Sequence, residues 1–230
     1  METPERSPRA FFGRRKGHKL RPNHAQLIDE LMPSLALDLS KPSPGDLSSL
    51  FPLPVNEVRL EIGFGGGEHM VAQAQEHAGV GFIGVEPFVN GMAKALSAIE
   101  SLELHNIRLH FDDAISLIPW LPPRSLARID LIHPDPWPKR RHWKRRFVQD
   151  EMIGRLARIL RTGGEFRFVT DIADYASWTL QHLLRSEDFE WTAQDADDWR
   201  KAWPGFIETR YHAKAAREQR TSCFLIFRKV

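Results

Sequence analysis

The chain holds one cysteine, Cys223, among 230 residues. That excludes an intrachain disulfide, leaves cysteine-ligated zinc almost without donors and suits a reducing compartment. No apolar run approaches the roughly 18 residues that a membrane helix requires. The N-terminal METPERSPRAFFGRRKGHKL is charged and lacks the apolar segment of a secretory signal. The ten histidines are scattered without metal-ligand spacing. A cytoplasmic protein with no membrane association and no metal is expected, either a monomer or a homodimer. Hydrophobic residues make up 42% and charged residues 27%, which argues against a disordered chain or a coiled coil.

What is present is unevenly charged. The net charge is only +2, yet residues 1–21, 139–146 and 210–229 carry +5, +6 and +5, so the remaining 181 residues carry −14. An acidic body with three basic patches is the electrostatic footprint of a polyanion binder. Six cations in the eight residues KRRHWKRR repel one another unless a partner offsets them.

Residues 1–22 read as a flexible basic arm and 23–230 as a single domain. His24–Leu31 has helical apolar spacing, and the four prolines of residues 40–54 mark a loop. The pattern then alternates. Strands are expected at Val58–Ile62, Gly81–Glu86, Ile107–Phe111, Ala127–His133, Glu165–Asp171 and Ser222–Phe227. Helices are expected at Glu68–Ala78, Asn90–Leu104, Asp150–Arg161 (ended by Gly163-Gly164) and Tyr175–Leu184. Such alternation implies an α/β fold, a mostly parallel twisted sheet with helices on both faces.

Gly63, Gly65 and Gly67 follow the first of these strands and open a helix, where glycine lets the backbone turn sharply and approach a ligand. A dinucleotide fingerprint would need its last glycine where Glu68 stands, and a carboxylate there repels a pyrophosphate. The Glu61-x-Gly63-x-Gly65-x-Gly67 pattern resembles instead the first motif of Rossmann-like class I S-adenosylmethionine-dependent methyltransferases. Glu61 would stand near that cofactor's cationic end. Glu86, 19 residues beyond Gly67, would accept the ribose hydroxyls, and Asp113 follows the third strand at the adenine end.

Pro134-Asp135-Pro136-Trp137-Pro138 leaves the fourth strand and cannot be helical. Ligands of open α/β sheets sit beyond the carboxyl ends of the strands, so this stiff loop faces the cofactor. Asp135 offers an acceptor to a base edge, Trp137 and Trp143 offer stacking faces, and Lys139 with the following arginines offers phosphate contacts. Trp191, Trp199 and Trp203 read as core and cap packing. Cys223, within the last apolar strand, reads as a small buried hydrophobe.

Gly63–Gly67, Pro134–Lys139, Thr170-Asp171 and the tail Thr209–Lys214, with Phe12–Lys16 and Leu20–Asn23, together resemble the bacterial tRNA (guanine-N7-)-methyltransferase family over nearly the whole chain. The resemblance implies methylation of a guanine N7 in tRNA, in the variable loop, to give 7-methylguanosine, with S-adenosyl-L-methionine as cofactor. It implies that residues 23–230 are one methyltransferase domain. Glu61, Gly63, Gly65, Gly67, Glu86, Asp113 and Asp135 would frame the cofactor, and Asp135 would be catalytic. Lys139, Asp171, Thr209, Arg210, Tyr211 and His212 would hold the RNA. Two positions depart from the family: His212 replaces a usual Glu, and His69 replaces a small hydroxyl residue. N7 bears a lone pair and no proton, so its methylation demands no general base. The alternatives are an exocyclic-amine nucleic-acid methyltransferase, whose acid is followed by two prolines where Asp135 is followed by Pro136-Trp137, and a non-enzymatic RNA-binding protein on the same scaffold.

Overall fold

The structure, a computed structural model, describes residues 13–230, so the first twelve residues of the expected arm lie outside the described residues. The elements run α1 (Pro22–Glu30), α2 (Met32–Leu35), β1 (Glu57–Ile62), α3 (Glu68–Glu76), β2 (Val80–Val85), α4 (Val89–Ser101), β3 (Ile107–His110) and α5 (Ala114–Trp120). They continue with β4 (Leu126–Ile132), α6 (Asp150–Ile159), β5 (Leu160–Thr170), α7 (Ala173–Leu184), β6 (Phe189–Trp191), α8 (Asp197–Arg200), α9 (Arg210–Arg217) and β7 (Cys223–Lys229). The strands form one sheet in the order β3-β2-β1-β4-β5-β7-β6, with β1 to β5 parallel and β7 antiparallel to both β5 and β6. The order reverses between β1 and β4, where an open α/β sheet forms its ligand crevice.

Period-2 alternation assigns the two faces. Leu60, Ile62, Ile83, Val85, Ile129, Leu131, Phe166 and Phe168 pack in one cluster with residues of α5, α6 and α7. Phe82, Ile107 and Leu109 form a second with α1, α3 and α4. Between β1, β4 and β5 the second face is ionic. In register, Arg59 stands beside Arg128, Glu61 beside Asp130, Arg128 beside Glu165 and Asp130 beside Arg167. Each arginine is paired with an acid two residues along its own strand: Arg59 with Glu57, Arg128 with Asp130, Arg167 with Glu165.

The expected strands all form within a few residues of their expected limits. The helix expected over Asp150–Arg161 stops at Ile159, and Gly163-Gly164 lies inside β5 instead of ending it. Leu160 is already extended, and Gly163 (φ 77°) accommodates the register shift between Leu126 and Arg128. The loop expected at 40–54 contains a 3₁₀ turn, Leu47–Leu50, which Asp46 caps by accepting from Ser48 N–H. Residues of the arm that are described dock on α4: Val89 N–H donates to the Arg15 carbonyl, Gly17 N–H to Asn90 Oδ1, and Asn90 Nδ2 to the His18 carbonyl. Trp191 and Trp199 pack on the main core, and Trp203 meets Phe206 and Phe224 edge-on. Cys223 opens β7 half-buried, less enclosed than expected, because it is the strand's first residue. No helix among the described residues is long and apolar enough to cross a membrane.

Candidate active site

A cavity of about 790 Å³ opens at the carboxyl ends of β1, β2 and β4. Gly63, Gly65, Glu86, Asp113, Asp135, Arg210 and Tyr211 all line it, so seven of the expected residues meet in one place. The glycine loop is held close. Gly67 begins α3 at φ 81°, and a Cβ there would lie 2.8 Å from the Ala95 Cβ. Gly91 in the first turn of α4 would place a Cβ 2.2 Å from the Gly65 carbonyl oxygen. Only glycine permits α4 to sit against the loop.

Glu86 directly follows β2 and is buried. Its two oxygens accept from Gly65 N–H (2.7 Å) and Phe88 N–H (2.8 Å). Burial pushes its pKa up to about 7; those two hydrogen bonds pull it down, and the nearby charge of Asp135 pushes it further up. Asp135 is exposed through the open cavity, yet the protein mass around it also raises its pKa. No hydrogen bond ties its carboxylate to another of the described residues. Two carboxyls of raised pKa in one cavity favour a cationic ligand, whose charge would stabilise both ionised forms. Asp113 lines the cavity and caps α5, accepting from Ile115 N–H at 3.1 Å.

Glu61 is placed differently from expectation. The alternation that sends Leu60 and Ile62 into the apolar face sends Glu61 into the ionic one, under α3 and off the cavity wall. There it meets His69 Nδ1 at 2.7 Å, with both groups buried. Burial raises the Glu61 pKa. It also pulls that of His69 down, but the charge and hydrogen bond of Glu61 outweigh it and the net shift of His69 is upward. Donor atoms of Glu61, His69 and Asp130 lie within 4.8 Å of one another, a spacing a metal ion can bridge. Here Arg128 already meets Asp130 at 2.8 Å and also donates to Gln73.

The remaining expected residues stand around the cavity and do not line it. Asp171 accepts from Arg220 Nε (2.6 Å) and lies 3.2 Å from Nδ1 of His133, a cavity residue with φ 49°. Burial opposes ionisation of Asp171, but Arg220 and His133 hold its pKa below the usual carboxylate range. Thr209 caps α9, accepting from His212 N–H. The His212 ring packs at a tilt against both His133 and Phe224, and its Nδ1 lies 3.3 Å from Ser222 Oγ. Lys139 is exposed at the start of a 3₁₀ turn, Arg140–Arg145.

Two aromatic expectations separate. Trp137, at φ 44°, lines the cavity with Arg145 5.0 Å from its ring. Trp143 packs edge-on against Trp178 (5.4 Å), so its indole is committed to the protein instead of to a base. Sequence reasoning gave no role to His133 or Arg220, and met His69 only as a departure from the family, without its partner Glu61. For His69 a signal existed: the in-register charges of VRLEI, ARIDL and EFRFV announce an ionic face that needs a polar helix residue above it.

A family model described as "Putative methyltransferase" matches residues 55–225. A tRNA (guanine-N(7)-)-methyltransferase of Rhodopseudomonas palustris (strain BisB5) is 62% identical over 221 residues, covering 96% of this chain and 86% of that protein. One of the same description from Bradyrhizobium diazoefficiens is 61% identical, covering 97% and 94%. Among solved structures, the 16S rRNA methyltransferase KamB superposes with a TM-score of 0.53 at 16% identity, covering 76% of this chain and 88% of that one. An rRNA methylase from Streptococcus thermophilus gives 0.50 at 11%, covering 93% and 99%. Both share the class I methyltransferase fold.

Proposed function

From the premise that the chain belongs to the tRNA (guanine-N7-)-methyltransferase family, we propose that its cavity joins S-adenosylmethionine to a target guanine through Asp135. The protein is an S-adenosylmethionine-dependent enzyme that methylates guanine N7 in tRNA, giving 7-methylguanosine. The observation that carries the site reading is the pair Glu86 and Asp135: two carboxyls of raised pKa in one glycine-walled cavity at the β1–β4 reversal. The residues fit the cofactor. Gly63 and Gly65 give it close backbone approach, Glu86 accepts its ribose hydroxyls, Asp113 stands at the adenine end, and the two carboxyls of Glu86 and Asp135 offer partners to a sulfonium and an ammonium. The cofactor supplies an electrophilic methyl group.

What the chain adds is position and charge. N7 carries its lone pair ready and the product is a cationic base, so no residue need remove a proton. Asp135 accepts from the guanine and stabilises the positive charge that develops on it. Arg210 and Tyr211, stacked on one another at 5.0 Å, line the same cavity and hold the substrate side. Lys139, Asp171, Thr209 and His212 support that side from the rim. N7 is buried in the deep groove of an A-form helix, so the reactive guanine lies in a loop or tertiary pair; the tRNA variable loop fits. Glu61 supports the glycine loop from beneath through His69. A cytoplasmic enzyme that needs no metal, with residues 1–22 as a basic arm toward RNA, completes the reading.

Asp135→Ala tests it. Its kcat falls by about 100-fold or more, as for loss of one charge-stabilising group, while S-adenosylhomocysteine affinity stays within a few-fold. A fall in affinity that matched the fall in kcat would make Asp135 a cofactor anchor only.

A further inference from the structure

Arg146 is the odd member of the basic run. Its side chain is wholly buried, although the five cations that precede it within residues 139–145 are charged neighbours in sequence. Its guanidinium carbon lies 4.9 Å from the Trp143 ring, 5.0 Å from Tyr175 and 5.1 Å from Trp178. Its Nε donates to the Pro136 carbonyl at 2.9 Å, and its Nη2 donates to Asp174, an exposed carboxylate. Its Nη1 has no hydrogen-bond partner among the described residues. The surroundings are fixed as well. Gln149 Nε2 donates to the carbonyls of Trp143 and Arg146, and the Tyr175 hydroxyl accepts from Phe147 N–H.

Arg146 lines the cavity, but its side chain is wholly enclosed and its donors Nε and Nη2 are already committed to protein acceptors, so it is not placed as a surface phosphate contact. Stability does not account for it either, since an apolar side chain of similar volume would spare its desolvation. What distinguishes it is the group it grips. Pro136 stands between Asp135 and Trp137, and Trp137 is held at φ 44°, a conformation that bulky residues adopt only under constraint. We propose that Arg146 is a positioning residue: clamped among three aromatic rings, it fixes the Pro136 carbonyl and thereby aims Asp135 and Trp137 into the cavity. This rests on the reading of Asp135 given above. The planar fork is essential, because Nε must reach Pro136 while Nη2 reaches Asp174 and the plane lies against the rings; lysine offers one point donor.

The test is Arg146→Lys and Asp174→Asn, with Asp135→Ala in parallel, each assayed for kcat, KM for tRNA and equilibrium binding of S-adenosylhomocysteine. Arg146→Lys lowers kcat by about 100-fold, the scale of a misplaced catalytic group, with KM and cofactor affinity within threefold. Asp174→Asn, made at an exposed residue that leaves the cage filled, lowers kcat in the same direction but less. Guanidinium at sub-denaturing concentration restores kcat to Arg146→Ala but not to Arg146→Met, whose side chain fills the cage. Full kcat in Arg146→Lys or, should that variant not fold, in Asp174→Asn, while Asp135→Ala is inactive, overturns the inference. Full kcat in Asp135→Ala overturns instead the reading of Asp135.

Discussion

Glu86 and Asp135 show how burial prepares a site for charge. With the Glu86 pKa pushed up to about 7, mainly by burial, the carboxylate that accepts ribose hydroxyls is fully present only above that pH. Cofactor affinity is therefore expected to hold at pH 8 and to weaken as pH falls through 7, approaching tenfold per unit well below it. Titration calorimetry with S-adenosylhomocysteine from pH 5.5 to 8.5 checks this; a flat profile would separate Glu86 from the cofactor. Glu86→Gln loses one charged acceptor, which lowers affinity by about 10- to 100-fold and flattens the profile. At this scale the sequence exposed Glu86, Asp113 and Asp135, because each follows a strand. It misled at Glu61, because a residue's face depends on strand register, and it hid Arg146, because a run of cations reads as uniformly phosphate-facing.

The site is assembled by elements that cross at the reversal of strand order. β1 delivers the glycine loop, β2 delivers Glu86, and β4 runs straight into the Pro134–Pro138 loop. α4 closes against Gly65 through Gly91. Gly91→Ala drives a methyl group into that carbonyl, so stability is expected to drop by about 1–3 kcal/mol, with weaker cofactor binding. Thermal melting with and without S-adenosylhomocysteine measures both effects, and an unchanged variant would show that α4 packs loosely there. The parallel strands were readable from their apolar runs and turn glycines. The α5 helix, broken in pattern by Pro119, and α9, whose face is almost wholly polar, were not. β6, of three residues, is too short to carry a period.

Across the whole molecule, the three basic stretches far apart in sequence converge. Arg14 and His18, Lys144 and Arg145, and Arg210 all line the one cavity, so the acidic body presents its positive charge where the chemistry lies. tRNA binding is expected to weaken steeply with salt. Replacing the exposed Arg140 and Arg141 by alanine is expected to reduce the log–log slope by about 1 to 2, near 0.7–0.9 for each phosphate no longer neutralised. Filter binding over a salt series reads that slope, and an unaltered slope would remove those arginines from the interface. The most direct measurement is transfer of labelled methyl from S-adenosylmethionine to unmodified tRNA, with wild type and Asp135→Ala, followed by nucleoside analysis. The expected result is label in 7-methylguanosine from the wild type and about 100-fold less from the variant. Label in any other nucleoside, or equal transfer by both proteins, would contradict the assignment of N7 chemistry to Asp135.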